Sequence, residues 1–128
     1  MTSETSDGVP DKYDFRYGKH HIIIYQAYDE NDAAVDFSGG TASLVFYEQD
    51  STTVVLTVTT TANGNGSVIT LGPNGELAAT IQGADATVLY GTVGKNLQGR
   101  PAGVFELQVT IGGVSDCYAY GTYEVYRA

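Results

Sequence analysis

The stretch from Pro101 to Ala128, PAGVFELQVTIGGVSDCYAYGTYEVYRA, constrains the fold more than any other part of the chain. Phe105, Leu107, Val109 and Ile111 alternate with Glu106, Gln108 and Thr110, the two-residue period of a strand with one buried face. Gly112-Gly113 follows, and two consecutive glycines can both take the positive φ that tight, twist-matched turns require. The alternation then resumes, placing Cys117, Ala119, Gly121, Tyr123 and Val125 towards the core and Tyr118, Tyr120, Thr122, Glu124 and Tyr126 on the other face. The pattern predicts one long β-hairpin. Three tyrosines on a nominally wet face exceed what a solvated strand needs, so Tyr118, Tyr120 and Tyr126 are expected to form a contact surface. The competing reading covers them with a neighbouring loop or the N-terminal arm.

The remaining chain supplies the strands such a hairpin packs with. Residues 1–12 are polar, contain Gly8 and Pro10 and lack periodicity, and are expected to form a flexible arm that orders on assembly. Tyr13, Phe15 and Tyr17 alternate with Asp14 and Arg16 in a short strand that Gly18 ends. His20 to Tyr28 follows, and its three consecutive isoleucines predict burial on both faces near its start. Thr41 to Glu48 can turn Ala42, Leu44 and Phe46 inward, and Thr52 to Thr61 is a β-branched run. Val68 to Leu71 and Glu76 to Gln82 flank the turn Gly72-Pro73-Asn74-Gly75, so a second hairpin is predicted there with Leu77, Ala79 and Ile81 inside. Between Gly83 and Gly94 the spacing changes, and Asp85 is placed as the cap of a helical turn that tucks Val88 and Leu89 under the sheet edge. Lys95 to Pro101 reads as a loop.

About eight short strands and one helical turn predict an all-β fold, a single antiparallel immunoglobulin-like β-sandwich over residues 13–128. Sixteen glycines, ten tyrosines, one methionine and no tryptophan agree with a β-rich, turn-rich domain. A length of 128 residues suits one core.

The balance of six basic against fifteen acidic residues, a formal charge of -9, repels phosphate backbones and anionic headgroups. Neither nucleic-acid nor membrane-surface binding is expected. No apolar run approaches the length of a spanning helix, and MTSETSDGVPDK lacks a signal peptide's basic and apolar regions, so synthesis in a cytoplasm is expected. Cys117 is the one cysteine and is predicted to be a small buried thiol. His20 and His21 are adjacent, and neighbours on a strand point to opposite faces, which prevents joint metal ligation. Asp29, Asn31, Asp32 and Asp36 cluster in sequence, but Ala34 stands where a calcium loop needs glycine, and turn chemistry explains such residues. Asn65-Gly66-Ser67 is formally a glycosylation sequon and, without a secretion signal, is read as a turn. With no nucleophile elbow and no phosphate-cradling loop, the chain is expected to be non-enzymatic, with no catalytic residue, metal or cofactor.

Several segments together resemble a small β-sandwich domain of tailed-bacteriophage virion proteins, of baseplate and tail-fibre attachment type. They are Tyr13 to Tyr17, Ile22 to Asp32 and Val35-Asp36-Phe37-Ser38-Gly39, the last similar to that family's V-D-L-T/S-G. Asn74-Gly75-Glu76-Leu77, Asp85-Ala86-Thr87, Gly103-Val104-Phe105-Glu106-Leu107 and Gly121 to Val125 complete the match. Two departures stand out. Arg16-Tyr17-Gly18-Lys19 replaces the family's R-x-G-D turn, and no fibre or hub segment is attached. The resemblance implies a structural adaptor of the tail or baseplate located in the virion. Its partners would be other virion proteins and further copies of itself in a ring, met through strand edges, the hairpin, the arm and the aromatic residues Tyr13, Phe15, Tyr118, Tyr120 and Tyr126. Capsid decoration is the alternative role, and a carbohydrate-binding module stacking sugars on the same tyrosines is a further one.

Overall fold

Alternation of β-branched and aromatic residues with polar ones decides which face of each strand is buried, and the chain uses it in almost every element. The computed structural model describes residues 2–3 and 11–127. In chain order the elements are β1 (Thr2–Ser3), β2 (Asp11–Arg16), β3 (His21–Tyr28), β4 (Thr41–Tyr47), β5 (Val54–Thr59), β6 (Val68–Leu71), β7 (Glu76–Ile81), α1 (Gly83–Tyr90), β8 (Ala102–Ile111) and β9 (Val114–Tyr126). A four-stranded sheet has the order β1-β3-β7-β6 and a five-stranded sheet the order β2-β9-β8-β4-β5. All pairings are antiparallel except β2 with β9. The N-terminal segment therefore touches both sheets, β1 on β3 and β2 on β9. This is an all-β, immunoglobulin-like sandwich, in which the strand order sets β3, β7 and β6 against β4, β8 and β9.

The core lies between the sheets and follows the predicted inward positions closely. Ala42, Leu44 and Phe46 of β4, Leu77, Ala79 and Ile81 of β7 and Phe105, Leu107 and Val109 of β8 are all buried. Phe15, Phe46 and Tyr123 meet edge to face, with ring centroids 5.3 to 6.5 Å apart. No disulfide or tryptophan pins the sheets together, and this aromatic cluster occupies the centre instead. The hairpin turn is as predicted, with Gly112 and Gly113 both at positive φ (59° and 82°).

Five expectations need correction. First, β8 and β9 change register between Leu107, opposite Ala119, and Gln108, opposite Cys117, which leaves Tyr118 as an extra residue in a β-bulge. The bulge reverses the in/out parity: Tyr118 turns inward at 4 % exposure and Cys117 outward. Second, Phe15 is buried at 1 % exposure, so it is core. Third, Ile22 and Ile24 are 56 % and 72 % exposed, and only Ile23 of the three packs against the core. Fourth, the helix spans eight residues with Gln82 as its N-cap, Asp85 sits in its first turn, and Val88 faces outward while Leu89 is buried. Fifth, Asp11 and Lys12 of the predicted arm belong to β2 and Thr2–Ser3 pair with Tyr28 and Ala27; residues 1 and 4–10 lie outside the described residues.

Candidate protein interface

Two buried carboxylates fix the shape of the surface. Asp85, 1 % exposed, accepts hydrogen bonds from Asn63 Nδ2 (2.7 Å), Asn65 Nδ2 (2.7 Å) and Ser67 Oγ (2.5 Å). Ser67 Oγ in turn accepts from the Gln82 N–H at 2.9 Å. Burial alone would raise the Asp85 pKa, but the three donors outweigh it and hold the group below the ordinary carboxylate value. The predicted double turn Asn63-Gly64-Asn65-Gly66 is thereby clasped to α1. Glu124, 4 % exposed, stands on the outer face of β9. Lys12 Nζ (3.3 Å) and Arg100 Nη1 (3.7 Å) lie against its Oε1, while Asn96 Nδ2 donates to Oε2 and the Tyr126 hydroxyl also bonds to the carboxylate. Burial works to raise its pKa and these partners lower it further than burial raises it. Glu124 so ties β2, the loop 95–101 and β9 together.

The five residues predicted as contacts divide. Tyr13 is half-buried and stacks on Phe105 with centroids 4.0 Å apart, and Phe15 lies in the core. Tyr118 packs edge-on against Phe37 at 5.5 Å. Only Tyr120 (42 % exposed) and Tyr126 remain at the surface, the latter with Arg100 4.1 Å and Arg16 5.4 Å from its ring centroid. Tyr120 lines an open cleft of ≈ 420 Å³ with Tyr47, Val104, Glu106 and Cys117. The three-tyrosine platform imagined for sugar stacking is absent, because the bulge removes Tyr118 from it.

A different surface stands out instead. On the outer face of the four-stranded sheet Ile22 lies opposite Thr80 and Ile24 opposite Ala78, and β6 continues these rows with Val68 and Thr70. No charge interrupts the six residues; Gln26 opposite Glu76 bounds one end. The adjoining side of the sandwich, made by β5 and β6, is equally bare: residues 51–75 include no Asp, Glu, Lys or Arg. At the chain's 16 % charged content about four would be expected there. The isoleucine run marks this face in the sequence, but only Ile23 packs against the core while Ile22 and Ile24 are left exposed on the other side.

The groups weighed for chemistry are engaged structurally. His21 Nε2 accepts the Arg16 N–H at 2.8 Å, and burial lowers the pKa of the ring. Burial, then Glu106, raises that of the Cys117 thiol. Asp29 Oδ1 accepts the N–H groups of Asn31 (2.8 Å) and Ala33 (3.0 Å), and Asp36 Oδ1 that of Ser38 (2.9 Å), the turn chemistry of Asx residues. Among the described residues no group of three or more His, Cys, Asp or Glu is placed to hold a metal ion.

No protein-family model and no curated protein matches the sequence. Among solved structures, the chain is similar to the Lin-41 filamin domain (TM-score 0.47, 12 % identity, 99 % of this chain and 92 % of that one). It is also similar to a chain of the ZIG-8–RIG-5 IG1–IG1 heterodimer (TM-score 0.43, 3 % identity, 98 % and 88 %). A third likeness is to the teleost fish polymeric Ig receptor ectodomain (TM-score 0.45, 12 % identity), where it spans 94 % of this chain and 48 % of that one.

Proposed function

We propose that the chain is a non-enzymatic structural protein of a tailed-phage virion, an adaptor of the tail, baseplate or fibre attachment, made in the host cytoplasm and built into the particle. The observation that carries an assembly role is the pair Ile22 and Ile24, exposed two residues apart on an uncharged sheet face. A partner covering them removes apolar area from water without desolvating a charge. The partner this face fits is another virion structural protein presenting an uncharged, apolar surface; a basic partner would be drawn to the acidic remainder of the chain instead. The virion setting is carried by the sequence resemblance.

The test is cross-linking mass spectrometry with copy counting on particles that contain the protein. The expected result is low copy number with cross-links to tail or baseplate proteins, and loss from the particle of the double variant Ile22→Lys with Ile24→Lys. Absence of the wild-type chain from every particle would overturn the role. Copy number equal to that of the shell protein would replace it with capsid decoration, and normal incorporation of the variant would remove the face.

A further inference from the structure

β5 is an open edge of the five-stranded sheet, with β4 on one side and no described strand on the other. Its six residues, VVLTVT, run for about 20 Å at the usual rise per residue, and an edge of that length offers a row of backbone donors and acceptors. Protein edges are ordinarily blunted by charge, by proline, by shortness or by a cover. The chain's other edges obey this rule: β2 carries two aspartates, a lysine and an arginine in six residues, β1 has two residues and β6 four. β5 has no charge, no proline and six residues; its guards are a bulge at Val55, where the register with β4 shifts, and the approach of α1. Neither charge nor proline occurs between Ser51 and Gly72, and Val54, at one end of the strand, is 54 % exposed.

We infer that β5 pairs antiparallel with β5 of a second copy, joining two five-stranded sheets into one of ten strands. The occupant is a copy of this chain because the edge is neutral while the molecule carries a formal charge of -9. Two such molecules repel through most of their surfaces, and the side made by β5 and β6 is where they can approach with their carboxylates directed elsewhere. An antiparallel pairing about a two-fold axis is also self-complementary, each strand supplying what the other lacks. With Thr57 at the axis beside its own counterpart on the outer side, Leu56 of each copy lies beside Val58 of the other on the core side, uncharged pairs that sheets accept. Six residues of edge contact fall at the small end of specific interfaces, so association in the micromolar range is expected. The inference extends the proposed assembly role to self-association, but the pairing stands or falls without the particle.

The test is analytical ultracentrifugation of the full chain across a concentration series, together with hydrogen exchange. A species of twice 13.6 kDa is expected to grow with concentration, with slowed exchange confined to the β5 amides. Thr57→Lys, which puts like charges together at the axis, is expected to weaken dimerisation at least tenfold, whereas Ile24→Lys on the other sheet leaves it unchanged. Circular dichroism and the thermal midpoint confirm that both variants fold; should Thr57→Lys not fold, Val54→Lys replaces it. A strictly monomeric wild type at millimolar concentration would overturn the inference. So would a dimer that Ile24→Lys dissolves and the β5 lysine does not. Neither outcome bears on particle association, which the cross-linking experiment reads separately.

Discussion

Replacing Tyr118 by phenylalanine is expected to stabilise the protein, against the usual direction of core mutations. The bulge in β9 drives this ring inward against Phe37, and its hydroxyl is buried with no hydrogen-bond partner among the described residues. Burial, followed by the charge of Asp116, pushes its pKa up to about 12. A buried hydroxyl without a partner costs roughly 1–3 kcal/mol of desolvation. Removing the oxygen recovers that cost, less a few tenths of a kcal/mol of lost dispersion contact, on the order of 0.1–0.2 per atom pair. A net gain of about 1 kcal/mol is expected.

Tyr123 supplies the internal control. Its hydroxyl lies 2.8 Å from Thr92 Oγ1 and donates to the Tyr47 carbonyl at 3.1 Å. Tyr123→Phe breaks both contacts, and although Thr92 Oγ1 still bonds the Leu89 carbonyl, Tyr47 O loses this donor; a loss of about 1–2 kcal/mol is expected. Urea denaturation followed by circular dichroism measures the two variants against wild type, with equal slopes confirming that the unfolded states are comparable. The two should therefore differ by about 2–3 kcal/mol. Alkaline titration gives a second reading. Both tyrosines have folded pKa values raised to about 12 from 10.0, so the folded state loses stability as pH rises from the unfolded value towards 12, where the unfolded chain ionises and the folded one does not. Each phenylalanine variant should lose part of that alkaline slope. A Tyr118→Phe protein less stable than wild type by 1 kcal/mol or more would refute the reasoning, since it would mean that the hydroxyl is satisfied.

Two further outcomes follow from the same packing. Asp85→Asn keeps the shape of the clasp but puts an NH2 group where Asn63 or Asn65 donates, so a loss of about 1–3 kcal/mol at neutral pH is expected by urea denaturation. Because the folded pKa of Asp85 is depressed, its contribution is full above the unfolded value near 3.9 and disappears as pH falls through the folded one; the variant should show a flatter acid limb below about pH 4 than wild type. Gly103→Ala sets a methyl group against the Tyr47 carbonyl oxygen and 2.8 Å from the Tyr123 hydroxyl, so overpacking should cost about 1–3 kcal/mol, read as a lower thermal midpoint.

The fold was legible because strand parity is a local property. The inward residues of β4, β7 and β8 follow from alternation alone, and the Gly112-Gly113 turn fixes where β9 begins. Parity is also fragile: one inserted residue reverses everything beyond it, and nothing in SDCYAYG marks Tyr118 as that residue. Asp85 reads as the cap, which falls three residues earlier at Gln82, for a related reason. Its partners Asn63, Asn65 and Ser67 stand about twenty residues earlier, so a carboxylate that closes a tertiary network reads locally as a cap.

The surface shows the same asymmetry with a functional consequence. Tyrosine is amphipathic, and its presence at an outward position in the alternation says little about whether its ring ends in water: Tyr118 goes inside, Tyr13 stacks on Phe105, and Tyr126 lies under two arginines. Isoleucine has no polar end to offer. Ile22 and Ile24 stand exposed with no described strand laid over them, and burial by another molecule is what the proposed assembly role supplies. Charge then limits which sides can be approached: carboxylates crowd the turns and β2, while residues 51–75 and the isoleucine face are left neutral. β6, at the edge of the isoleucine sheet, lies beside β5, so the proposed copy at β5 and the proposed partner over Ile22 and Ile24 would take different surfaces of one molecule. The proposed adaptor role would join like to unlike in this way, and it requires that Thr57→Lys and Ile24→Lys disable different contacts.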